Sequence, residues 1–93
     1  MEILLNVLNW NGTTSKSTIT NDAMILPTLQ GIVGGYIEVV PLTSKQVMIV
    51  NEEGRLYELP VNRQATDRLR NEHPLTDTIL RGNVIIMNRN DLK

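Results

Sequence analysis

Six side chains in this sequence have the type and setting to hold a ligand: Tyr36, Glu38, Asn51, Arg55, Asn62 and Arg63. Asn62-Arg63 is the strongest pair. An asparagine in front of a helix accepts an early backbone N–H, and the remaining free N–H groups favour an anion there. The arginine adds a planar fork that fits phosphate or carboxylate. Arg55, in the loop NEEGR, can approach the same anion if the topology brings that loop alongside. Glu38 shares a strand face with Tyr36 and Val40, and a carboxylate there marks a polar pocket, an interface or an exposed edge. The plain alternative is that Asn62 only caps and Arg63 is a solvated first-turn residue.

The same inventory closes off most catalysis. The chain has no cysteine and one histidine, which removes disulfides, thiolate nucleophiles and thiolate metal sites. His73 precedes Pro74 in a loop, and no Ser/His/Asp arrangement can be built on it by spacing. A metal site would need carboxylates alone, yet Glu52 and Glu53 are adjacent and point apart in an extended loop. No enzymatic activity, cofactor or metal is expected. Arg63, Arg68, Arg70 and Arg81 form a modest basic cluster around a predicted second helix. Nucleic-acid binding through that cluster is the alternative function. Asp67 and Glu72 interrupt it, and no aromatic stacking platform accompanies it.

These residues are positioned by a short series of elements. Ile3, Leu5 and Val7 alternate with Leu4 and Leu8, which predicts a first strand. Residues 11–18, NGTTSKST, are a polar run with an Asn-Gly pair and read as a turn or loop, with a short strand over 16–20 left open. Leu26, Leu29, Ile32 and Val33 fall at helical spacing, so a helix is predicted from about Pro27 to Val33. Gly34-Gly35 follows it. A phosphate-gripping loop leads from a strand into a helix, and here the order is reversed, so the pair reads as a helix cap.

Strands are predicted next over Tyr36–Leu42 and Gln46–Asn51, then a hairpin loop with Gly54 at a positive φ, and a strand over Leu56–Leu59. Asn62 opens a second helix to about Arg70, residues 71–81 connect, and Gly82–Met87 forms a last apolar strand before a polar tail, 88–93. The class is α+β: one domain over 1–93, with a small mixed or antiparallel sheet of four to five strands and two short helices.

Composition sets the limits. Hydrophobic residues make up 41% and charged residues 20%, with no phenylalanine, so the core is aliphatic. A net charge of −1 gives no global attraction to nucleic acid or an anionic membrane. The apolar start MEILLNVLNW lacks a basic flank and is broken by Asn6 and Asn9, so it reads as neither a signal peptide nor a membrane span. A reducing, cytoplasmic setting is expected from the missing cysteines. Val47–Val50 and Val84–Met87 are apolar on both strand faces, and such strands need cover on both sides of the sheet. Two short helices are expected to cover about one face, which leaves the other to a curled sheet, a ligand or a second chain, with self-association the favoured reading.

The runs GIVGGYIEVVPL, VMIVNEEGRLYELPVNRQATDRL and GNVIIM together resemble a small domain family of unknown function. That family is met in bacteriophages, conjugative plasmids and gut-bacterial mobile elements. The similarity covers residues 29–87 and matches its recurring positions at Glu38, Asn51, Glu52, Gly54, Asn62 and Thr66. The resemblance implies an accessory protein, in a counter-defence or similar role, that acts in a bacterial host by stoichiometric binding. The expected partner is a host protein or a small anionic, nucleotide-like molecule held near a subunit junction. Asn62 and Arg63 would contact the anion, with Glu38 and Tyr36 polarising the sheet side.

Overall fold

The computed structural model describes residues 2–92. Five strands, β1 (Ile3–Leu8), β2 (Thr14–Ile19), β3 (Ile37–Pro41), β4 (Gln46–Asn51) and β5 (Val84–Asn88), form one antiparallel sheet in the order β2-β1-β5-β4-β3. Two helices, α1 (Ile25–Val33) and α2 (Arg63–Glu72), complete the α+β fold. Among the described residues no helix is long and apolar enough to cross a membrane.

The two-faced strands are covered within the chain. Ile3, Leu5, Val47, Ile49, Ile85 and Met87 pack with Ile25, Leu29 and Val33 of α1 on one face. Met48, Val50, Val84 and Ile86 pack with Ala65 and Leu69 of α2, and with Leu42 and Leu80, on the other. The expectation that both helices share one face does not hold: the long connection after β4 carries α2 across to the opposite face. The argument that a second chain must supply cover therefore lapses.

Other departures have local causes. Residues 11–18 are not one polar loop. The turn is confined to about Asn9–Thr13, where the Asn9 N–H donates to the Thr13 carbonyl at 2.9 Å and Gly12 takes a φ of 92°. The polar residues after it form β2, an edge strand paired along all of β1. Ser and Thr suffice there because only Ile19 of that strand is buried. No strand forms over Leu56–Leu59. The strand before it, β4, already pairs with β3 on one side and β5 on the other, which leaves no edge to accept a hairpin partner.

Residues 52–59 instead coil into successive turns, with Tyr57 N–H donating to Glu53 and Leu59 N–H to Gly54. Positive φ falls at Glu58 (52°), and Gly54 is not at a positive φ. A Cβ at Gly54 would lie 3.4 Å from both Arg81 Cβ and the Asn51 carbonyl oxygen, which is ordinary van der Waals contact. Residues 88–92 of the polar tail are structured as well: β5 runs to Asn88, a 3-10 turn covers Arg89–Asp91, and Leu92 packs on the α1-side core. Residue 93 lies outside the described residues.

Candidate functional site

The predicted site residues divide into four groups. Asn62 is the N-cap of α2, its Oδ1 accepting from the Ala65 N–H at 3.0 Å. It is also fully buried. Its Nδ2 donates to the Leu8 carbonyl at 2.8 Å and to the Gly82 carbonyl at 2.9 Å. Both amide protons and the amide oxygen are thus spent inside the protein, so Asn62 cannot also grip a ligand. Thr66 extends the same cluster, donating to the Asn62 carbonyl at 2.8 Å and accepting from the Leu80 N–H at 3.0 Å. The Asn62-x-x-Ala65-Thr66 pattern is thereby explained as a clamp that ties α2 to β1 and to the segment before β5. Arg63 stands exposed beside it.

Asn51 has a comparable account. Its Nδ2 donates to the Val33 carbonyl at 3.1 Å, one of the carbonyls that the end of α1 leaves open, and its Oδ1 accepts from the Glu53 N–H at 2.7 Å. Gly34 takes a φ of 85° as the cap of α1, as expected from its place before a strand. A Cβ at Gly35 would lie 3.1 Å from Asn51 Nδ2, close enough that the Asn51 amide would have to shift by a few tenths of an ångström. Tyr36 lines a cleft on this side with Gln30, Glu53 and Tyr57. It does not share a pocket with Glu38, which lines a different cleft with Arg55, Glu52 and Arg81.

The Glu38–Arg55 cleft is electrostatically mixed. Arg55 and Arg81 are offset there by Glu38 and Glu52, and by Asp77 where the cleft widens. Arg81 also donates from Nη1 to the Leu59 carbonyl at 3.0 Å. An anion gains little net attraction from such a lining.

A groove on the α2 face has the opposite character, and five of its side chains were not among the sequence candidates. It encloses about 440 Å³ between the Arg68 flank of α2 and the open part of the sheet, lined by Asn6, Thr14, Lys16, Gln46, Arg68 and Ile86. Sheet register builds its floor. Lys16 of β2 lies opposite Asn6 of β1, Asn6 opposite Ile86 of β5, and Ile86 opposite Met48 of β4. Side chains in such a row point to one face. The result is a cation at the sheet edge, an amide beside it and an apolar floor, with the Arg68 guanidinium overlooking them.

Among the described residues lining this groove there is no carboxylate. The signal missed in the sequence was Asn6, a polar residue breaking the apolar alternation of β1, read only as an interruption. Lys16 falls where the sequence leaves loop and edge strand open, and only the β1–β2 register places it opposite Asn6.

The four arginines of the nucleic-acid alternative do not form one face. Arg63 and Arg70, seven residues apart, lie on one stripe of α2, whereas Arg68 is rotated about 140–160° from them at 100° per residue. Arg81 faces the mixed cleft. Among the described residues no group of three or more His, Asp or Glu side chains is gathered to hold a metal ion. His73 acts as a clip: Nε2 lies 3.0 Å from the Leu42 carbonyl, and because a carbonyl can only accept, Nε2 carries the proton.

Residues 7–92 match the model of a family described as a Domain of unknown function (DUF3846), and the chain belongs to that family. No curated protein and no solved structure matches it.

Proposed function

We propose, with that membership as the premise, that the protein is a non-enzymatic binding module that holds a small anionic ligand in the α2-face groove. Lys16 and Arg68 supply the charge, Asn6 and Gln46 the orienting hydrogen bonds, and Ile86 the apolar floor. In setting, the proposal keeps the accessory role in a phage or mobile element that the sequence resemblance implies. The observation that carries the reading is the lining itself, two cations with no carboxylate to offset them. The volume, about 440 Å³, falls within the range of roughly 300–1,000 Å³ typical of small-ligand sites, so a mononucleotide or a short polyphosphate is the fitting size.

Titration calorimetry with pyrophosphate and with nucleoside triphosphates tests this. Binding should weaken as salt rises, because partly exposed charges are screened. Lys16→Ala and Arg68→Ala should each lower affinity about tenfold, the value of one charge-assisted hydrogen bond, while Arg63→Ala should leave it unchanged. Absence of binding at low salt, or equal loss from Arg63→Ala, would contradict the proposal. Much tighter binding of a single-stranded oligonucleotide would favour the nucleic-acid alternative.

A further inference from the structure

The chain's two tyrosines, 21 positions apart in sequence, line one cleft. We infer that this cleft is a second binding site, separate from the anion groove, and that it takes a planar heterocycle bearing N–H donors, of the purine type. Tyr36 and Tyr57 are 66% and 65% exposed, so neither ring is used by the core. The backbone that carries each of them is nevertheless held in place. The Glu52 N–H donates to the Tyr36 carbonyl at 2.9 Å, which extends the β3–β4 pairing, and the Tyr57 N–H donates to the Glu53 carbonyl at 3.0 Å, which folds the loop back.

Glu58, just after Tyr57, holds a φ of 52°. A non-glycine residue in that region is held there by its surroundings, here the coiled loop. Gly34 and Gly35 line the cleft beside the rings and present bare backbone.

The chemistry of the lining selects the ligand. Two phenol rings offer π-faces for stacking a flat ring, which every nucleobase can use. Glu53 is partly buried at the same cleft, and its backbone is pinned by donating to Asn51 Oδ1 at 2.7 Å. Its carboxylate only accepts, so it favours a ring edge carrying paired N–H groups and disfavours a phosphate. The cleft encloses about 340 Å³, near the lower limit of ligand pockets, which suits a base or nucleoside. It lies on the α1 side, since Gln30 lines it, whereas the groove lies under α2.

The test uses guanosine, an uncharged nucleoside, titrated into isotopically labelled full-length protein and followed by amide chemical shifts. Shifts are expected at Gly34, Gly35, Glu53 and Tyr57, with little dependence on salt. Tyr36→Ala and Tyr57→Ala should each weaken binding about tenfold, as loss of a stacking partner does, and Glu53→Gln should weaken it as well. Because both tyrosines are exposed, the variants should keep the parent melting temperature, and Arg68→Ala should leave guanosine binding unchanged. Shifts elsewhere only, affinity indifferent to both tyrosine variants, or no binding up to the solubility limit would each overturn the inference.

Discussion

Asn62 shows how one residue can satisfy a sequence reading and still be assigned the wrong use. Its cap to Ala65 is local and legible, because an asparagine before a helical run needs only the next three residues to be recognised. Its bonds to Leu8 and Gly82 span 54 and 20 positions, and nothing in the pattern of the chain announces them. Those long-range bonds turn a candidate anion contact into a buried clamp. Asn62→Ala is expected to destabilise the protein by about 3 kcal/mol. That figure combines about 1 kcal/mol for the cap with the cost of leaving two buried carbonyls without their partner. For a domain of this size the melting temperature should fall by more than about 12 °C, which thermal unfolding followed by circular dichroism would read. A shift of a few degrees would mean that water replaces Asn62 at both carbonyls. Glu38 and Arg55 are both exposed, and their common cleft with Arg81 depends on where residues 78–81 run, which local pattern does not encode.

At the scale of elements, β1 and α1 were legible from their apolar periods, β3, β4 and β5 from their apolar runs, and α2 from the Asn62 cap that opens it. The edge strand β2 was not, since an exposed strand of Ser, Thr and Lys has the composition of a loop and acquires its identity only from pairing with β1. The false strand over Leu56–Leu59 is the converse error, because it followed from reading NEEGR as a hairpin loop while the sheet had no free edge beside β4. The placement of one helix on each face also has a measurable consequence. Leu29 of α1 and Leu69 of α2 are both buried, on opposite sides of the sheet. Leu29→Ala and Leu69→Ala should each cost about 3 kcal/mol. In the double variant the losses should add to within about 0.5 kcal/mol, as for sites that share no partners. Denaturant unfolding of the four proteins measures this. A Leu69→Ala variant with parent stability would contradict the account of α2 as cover for its face.

For the whole molecule, cover on both sheet faces changes what the apolar strands imply. The two-faced strands required partners, and α1 and α2 supply them within one chain. A native mass near that of a single chain, 10.5 kDa, is therefore expected at micromolar concentration. A stable dimer would place the interface at the sheet edges or the exposed loop aromatics instead of a sheet face. The small size of α2 has a second consequence. It sends only Ala65, Thr66 and Leu69 inward, and part of the sheet beside its Arg68 flank stays open as the groove. That opening is a property of the assembled layers, which is why the sequence pointed to the start of α2 and the structure points to its flank.

The most direct test of the anion-groove account is an amide chemical-shift titration of labelled protein with pyrophosphate at low salt. The largest shifts are expected at Asn6, at Thr14 to Lys16 and at Arg68, and they should disappear in the Lys16→Ala, Arg68→Ala double variant. Shifts centred on Arg63 to Ala65, or on Arg55 and Arg81, would show that the anion binds at the helix start or in the mixed-charge cleft and would contradict the account.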